Sequence, residues 1–133
     1  MKSNTVFEFT LGGWTLDWCS LQIDKHANEY ICTMINRGNP FEEIKKAVDK
    51  EQVEYLTSFV KKAGIRNWKQ YYDASALDGE NWSIMIDDTD GKFESSGFYN
   101  RPPGFYSLLE CLHDIFGFQS DPTKGLYENL YND

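Results

Sequence analysis

The sequence predicts a single α+β domain, built on an antiparallel sheet of about five strands with two main helices on one face. Three observations carry this. Apolar residues alternate through the first third of the chain, they recur at helical spacing in two later segments, and an Asp-Gly pair separates two alternating runs. At 133 residues the chain fits one domain. Its 41% hydrophobic and 16% aromatic content supplies enough apolar area to order it. Residues 1–117 are expected to form the domain, with 118–133 as a C-terminal tail that packs back or engages a partner.

The sheet begins at residues 5–11, where Phe7, Phe9 and Leu11 share one side. Gly12-Gly13 provides a permissive turn into a second strand, 14–23. There Trp14, Leu16 and Trp18 fall on one face and Cys19, Leu21 and Ile23 on the other, which implies packing on both sides or a bulge. A turn at 24–28 leads to a third strand at 29–36, completing a meander. Ile44 and Val48, spaced by four, predict a short helix over 41–48. Asp49 and Gln52 resemble a capping box for a second helical segment. Val53, Leu56, Phe59, Val60 and Ala63 form its apolar stripe, and Gly64 closes it.

The second half is most legible over 78–112. Trp82, Ile84 and Ile86 alternate on one strand, Asp90-Gly91 is a two-residue hairpin signal, and 92–98 returns as the partner strand. Gly97 marks a bulge or a close approach. Pro102-Pro103 ends the strand, and Phe105, Leu108, Leu109, Leu112 and Phe116 make one helical stripe closed by Gly117. In the tail, Leu126, Tyr127, Leu130 and Tyr131 are apolar anchors.

This text resembles a group of small bacterial and phage proteins with a recurrent C-terminal half. The matching residues are Trp68, Asp78, Gly79, Trp82, Ile84, Ile86, Asp90, Gly91, Lys92, Ser95 or Ser96, Gly97, Asn100, Pro102 or Pro103, and Phe105. Phe98-Tyr99 between Gly97 and Asn100, and the doubled proline, depart from the pattern. The resemblance implies a fold and a bacterial or phage setting, and no activity.

Composition narrows the function classes. The net charge is −8, from 21 acidic and 13 basic residues, which repels nucleic acid and anionic membrane and favours basic partners. No apolar run approaches the roughly 18–20 residues of a membrane span. The N-terminus lacks the apolar core of a secretion signal, so a cytoplasmic location is expected. The three widely spaced cysteines, Cys19, Cys32 and Cys111, fit buried free thiols better than a disulfide framework or metal knuckle. His26 and His113 stand at no zinc-ligand spacing. Asp87, Asp88 and Asp90 do not fall on the alternate positions that a calcium loop needs before Gly91. Cys111 and His113 point about 200° apart on a helix, so they form no nucleophile–base pair. With no phosphate loop or nucleophile elbow either, no enzyme activity, metal or cofactor is expected.

Two constellations remain. Asp78, Glu80, Asp87, Asp88, Asp90 and Glu94 crowd one hairpin against the single Lys92, forming a candidate docking surface for a protein with a basic surface, such as a nucleic-acid-binding effector. The plainer alternative is an edge strand kept soluble by charge. Trp68, Tyr71, Tyr72 and Trp82 form a candidate small-ligand or nucleotide pocket. Arg66 and Lys69 beside these rings imitate a single-stranded nucleic acid site, but two cations make a weak funnel, and the segment reads better as a crossover covering the sheet. A partly exposed sheet face with Trp14, Trp18 or Tyr30 would also suit a partner. The leading expectation is a non-enzymatic acidic inhibitor of the immunity-protein or phage anti-defence (anti-CRISPR-like) type. The alternative is a ligand-binding module.

Overall fold

In a computed structural model that describes residues 4–13, 16–38, 42–72, 80–98 and 101–120, the described residues form seven strands and two α-helices. In chain order the strands are β1 (Thr5–Gly13), β2 (Leu16–His26), β3 (Glu29–Ile35), β4 (Glu43–Val48), β5 (Tyr71–Tyr72), β6 (Glu80–Asp88) and β7 (Gly91–Phe98). The helices are α1 (Lys50–Lys62) and α2 (Phe105–Phe116), and a 3-10 turn spans Ile65–Asn67. The sheet order is β4-β3-β2-β1-β6-β7-β5. All neighbours pair antiparallel except β5 with β7, so the sheet is mixed.

The α+β class, the meander, the hairpin and both main helices stand as expected, but the sheet is wider than about five strands. The helix expected over 41–48 is replaced by β4, which pairs Met34 with Ile44 and Tyr30 with Val48. A spacing of four fits both a helical turn and two strand repeats, and the open edge of β3 decides in favour of the strand. The alternation puts Ile44, Lys46 and Val48 on the helix-covered face and Glu43, Lys45 and Ala47 on the other. The seventh strand comes from the aromatic segment: Tyr71 and Tyr72 pair with Ser96 and Gly97. The hairpin turn also lies one residue earlier than expected, centred on Thr89 and Asp90, with Gly91 following at φ +105°. Asp90 keeps a negative φ, so the primed turn that an Asp-Gly centre needs does not form, and glycine takes the left-handed position after it.

Every buried apolar strand residue falls on one face: Phe7, Phe9, Leu11, Cys19, Leu21, Ile23, Cys32, Met34, Val48, Trp82, Ile84 and Ile86. The pairing of β1 with β2 shifts register between Leu11 and Gly13, where a bulge is one of the two expected outcomes, and Trp18 stays on the face opposite Cys19, Leu21 and Ile23. Leu56 and Val60 of α1, Ile65 and Trp68 after it, and Phe105, Leu108, Leu112 and Phe116 of α2 join that core. Helix α1 starts in the expected capping box, in which the Asp49 backbone N–H donates to Gln52 Oε1 at 2.8 Å. Helix α2 stops at Gly117, φ +79°, whose N–H donates to the His113 carbonyl while that of Phe118 reaches Leu112. The exposed carbonyls of its last turn are met by Lys46 Nζ at 2.8 Å (Phe116) and Gln52 Nε2 at 3.2 Å (Ile115). The core runs one step past the helix: Phe118 is buried against Phe9, and Gln119 exchanges hydrogen bonds with Asn36 and Arg37. Leu126, Tyr127, Leu130 and Tyr131 lie outside the described residues.

Candidate functional site

The hairpin brings four of the acidic residues close in space but divides them between the two faces of the sheet. Side-chain alternation on β6 sends Asp88 toward the helical side with Ile84 and Ile86, and Asp87 to the opposite side with Met85. Asp88 is the least exposed of these carboxylates. Its Oδ1 accepts from Arg66 Nη2 at 2.5 Å and from the Asp90 backbone N–H at 2.8 Å, while the same guanidinium nitrogen donates to the Gly91 carbonyl at 3.2 Å. Arg66 thereby clips the hairpin tip onto the 3-10 turn, and Asp88 is committed to that clip. Asp90 lies 3.8 Å from Lys61 Nζ on α1, and Glu94 lies 3.3 Å from Lys92. The sequence showed one lysine among these carboxylates; the fold adds Lys61 and Arg66 from the preceding helical region. Asp78 lies outside the described residues, and Glu80 is described only through its backbone, opposite Gly13.

The aromatic set separates in a similar way. Trp68 and Trp82 are buried, with ring centroids 5.6 Å apart in an edge contact. Trp82 also meets Phe105 at 5.3 Å and Tyr72 at 5.9 Å. Gly97 stands in register with both Trp82 and Tyr72, on the strand between the two that carry these rings. The Trp68 indole N–H donates to the Pro103 carbonyl at 3.2 Å, and the Tyr72 hydroxyl accepts the Lys69 N–H at 3.0 Å. These three side chains are thus occupied by one another and by backbone, as core residues are. Tyr71 points to the other face and is exposed.

Among the described residues no helix packs on that other face. Its rows follow from the register. Ser20, Thr10, Ser83 and Ser96 lie side by side across β2, β1, β6 and β7, with Thr10 and Ser83 hydroxyls 2.6 Å apart. The next row holds Gln22, Glu8, Met85 and Glu94. Trp18 is 51% exposed on this face, and its indole lies flat against Gly12 of β1. Of the other aromatics expected on an open face, Tyr30 lies on the helical side, where Lys25 approaches its ring at 5.7 Å. Trp14 lies outside the described residues.

The charges of the open face are unequal. Glu8, Asp24, Glu43, Asp87 and Glu94 share it with Lys45 and Lys92. Glu8, Asp24 and Glu43 were not singled out from the sequence, although the alternation that buries Phe7 and Phe9 already turns Glu8 outward.

Among the described residues no group of three or more His, Cys, Asp or Glu side chains is placed to hold a metal ion. All three cysteines are buried free thiols. Burial pushes Cys32 up to about 11, with the Lys46 ammonium pulling the other way. Burial likewise pushes Cys111 up to about 11, and the nearby Asp114 carboxylate adds to the rise. Neither is a thiolate near neutral pH, which removes them as nucleophiles. No described helix is long and apolar enough to cross a membrane. No protein-family model matches the chain, and no curated protein matches it.

Proposed function

We propose that this protein acts by binding another protein, with the open sheet face as its contact surface and a basic region of the partner as its target. The observation that carries the reading is the excess of carboxylates on that face, centred on Glu8, Asp87 and Glu94, with Trp18 exposed on the same side of the sheet. A negative patch of this kind raises association rate and selects cationic partners, while a large aromatic supplies the contact that slows release. When the basic region is the groove of a nucleic-acid-binding effector, occupancy alone inhibits it, as an immunity protein or a phage anti-defence protein would. The binding set differs from the hairpin cluster expected from sequence: Asp87 and Glu94 stay in it, Glu8 joins, Asp88 is committed to Arg66, and Asp90 lies at the hairpin tip on the side of Lys61.

The test is recovery of the full-length tagged chain from its native host, quantified by mass spectrometry beside the triple variant Glu8→Lys, Asp87→Lys, Glu94→Lys. The expected result is a stoichiometric basic protein with the wild type that is lost with the variant. Equal recovery of the same proteins by both forms would contradict the proposal.

A further inference from the structure

The open face holds one side chain whose placement is neither that of a core residue nor that of a solvated one. Trp18 is 51% exposed, yet its ring is seated: a Cβ built on Gly12 would stand 2.5 Å from Trp18 Cδ2, 2.7 Å from Cε3 and 2.8 Å from Cγ. Only a glycine lets the indole lie this close to the β1 backbone. Gly12 does not adopt a positive φ, so close approach and not backbone conformation is what glycine provides here. One π-face of the ring is therefore covered by the sheet and the other is turned outward. An immobilised aromatic with one free face loses little side-chain entropy on binding, which distinguishes a contact platform from a floppy exposed ring.

Charge identifies what such a platform takes. The free face of an indole is electron-rich, the carboxylates of Glu8, Asp87 and Glu94 share its side of the sheet, and the chain's own nearby cation, Arg37, is engaged with the Leu11 carbonyl at 3.4 Å. Phosphate and other anions are repelled from that surface, whereas a planar guanidinium both stacks on tryptophan and pairs with carboxylates. Gly12 and Glu8 are four residues apart on β1, which places the platform and the nearest of these carboxylates about 13 Å apart along the strand. An extended basic segment covers that distance with about four residues.

We infer that Trp18, held flat by Gly12, is the anchor on which an arginine side chain of the basic partner stacks, while the carboxylates around Glu8 pair with neighbouring cations of the same segment. This rests on the open-face reading above and names the chemistry of the partner that the face selects.

The probe is a nona-arginine peptide, titrated at low salt into the full-length isotope-labelled chain, with the tryptophan indole and backbone amide resonances followed by NMR. Nona-lysine serves as the comparison. The expected result is saturable binding that shifts the Trp18 indole together with amides of Gly12, Ser20 and Glu8. Nona-arginine should bind more tightly than nona-lysine. Trp18→Ala should weaken nona-arginine by about fivefold. Gly12→Ala, which displaces the ring without removing it, should weaken it similarly, and Trp18→Phe should weaken it less. Thermal unfolding of each variant, run in parallel, separates loss of binding from loss of fold. Binding that shifts Glu8 but leaves Trp18 unmoved and is unchanged in both Trp18 variants would overturn the anchor while leaving the acidic face standing. Absence of binding, or shifts confined to α1 and α2, would overturn both. Trp18 shifts that appear on raising the protein concentration alone would assign the face to a second copy of the chain and overturn the inference.

Discussion

Replacing Asp88 by Asn separates the two roles that the hairpin carboxylates could have. In the native fold Asp88 Oδ1 accepts from both Arg66 and the Asp90 N–H, and the Arg66 and Asp88 side chains are only 27% and 22% exposed. Hydrogen bonds to charged groups contribute about 1.5–3 kcal/mol when shielded, and exposed ion pairs about 0.2–1 kcal/mol. Asn retains one acceptor and adds a donor facing the guanidinium, so a loss of about 1–2 kcal/mol follows for this half-shielded pair. For a domain of this size that is a fall in Tm of about 3–8 °C. Asp87→Asn, on the exposed face, should stay within about 0.5 kcal/mol. Urea unfolding of wild type, Asp88→Asn, Arg66→Gln and the double variant gives the coupling energy directly. We expect about 1 kcal/mol or more for this pair, and less than about 0.5 kcal/mol for Lys61 with Asp90, whose side chains are 75% and 51% exposed. A coupling near zero for Arg66 with Asp88, or equal stability of the Asp87 and Asp88 variants, would refute the division of the cluster into a structural and an available part.

Other consequences follow from the core and the helix ends. Leu112→Ala should cost about 2–5 kcal/mol, since Leu112 is fully buried, whereas Leu109→Ala, only partly buried in the same helix, should cost less than half as much in the same urea titration. Lys46→Ala removes the donor to the Phe116 carbonyl and should cost about 1 kcal/mol by the same titration, while Lys45→Ala, turned to the open face, should be near neutral. The thiols give a pH signature. Cys32 and Cys111 keep their protons up to about 11, whereas unfolding returns them to 9.0. Between those values the unfolded chain binds fewer protons than the native one, so these groups make stability fall as pH rises from 9 to 11 and leave it unaffected well below 9. At pH 10 the loss is about 1 kcal/mol for each thiol. Urea midpoints measured from pH 7.5 to 10.5 should show this slope, and the variant with both cysteines changed to Ala should flatten it. Thiol-reactive dyes should label neither residue in the native protein near neutral pH.

What could be read from the sequence was what local periodicity encodes. Phe7, Phe9 and Leu11 alternate, and Phe105, Leu108, Leu112 and Phe116 recur by helical turns, so β1 and α2 need no tertiary information to be placed. The capping box at Asp49 and the stop at Gly117 are equally local. What failed depended on partners distant in sequence. Ile44 and Val48 satisfy two periods at once, and only the vacant edge of β3 makes them a strand. Tyr71 and Tyr72 are too few to show any period, and β7 recruits them. The acidic cluster showed Lys92 as its single local cation because the other two, Arg66 and Lys61, lie more than twenty residues before Asp88 and Asp90. Alternation along β6 did hold the clue to its division, since Asp87 and Asp88 cannot face the same side of a sheet.

Association kinetics of the host partner with two charge variants bear most directly on the role given to the open face. Glu8→Lys/Asp87→Lys/Glu94→Lys reverses that face, and Asp90→Lys reverses the hairpin tip. We expect an association rate cut at least tenfold by the first, with most of the salt dependence gone, and little changed by the second. A rate untouched by reversing the face, or one that falls only when the tip is reversed, would contradict it.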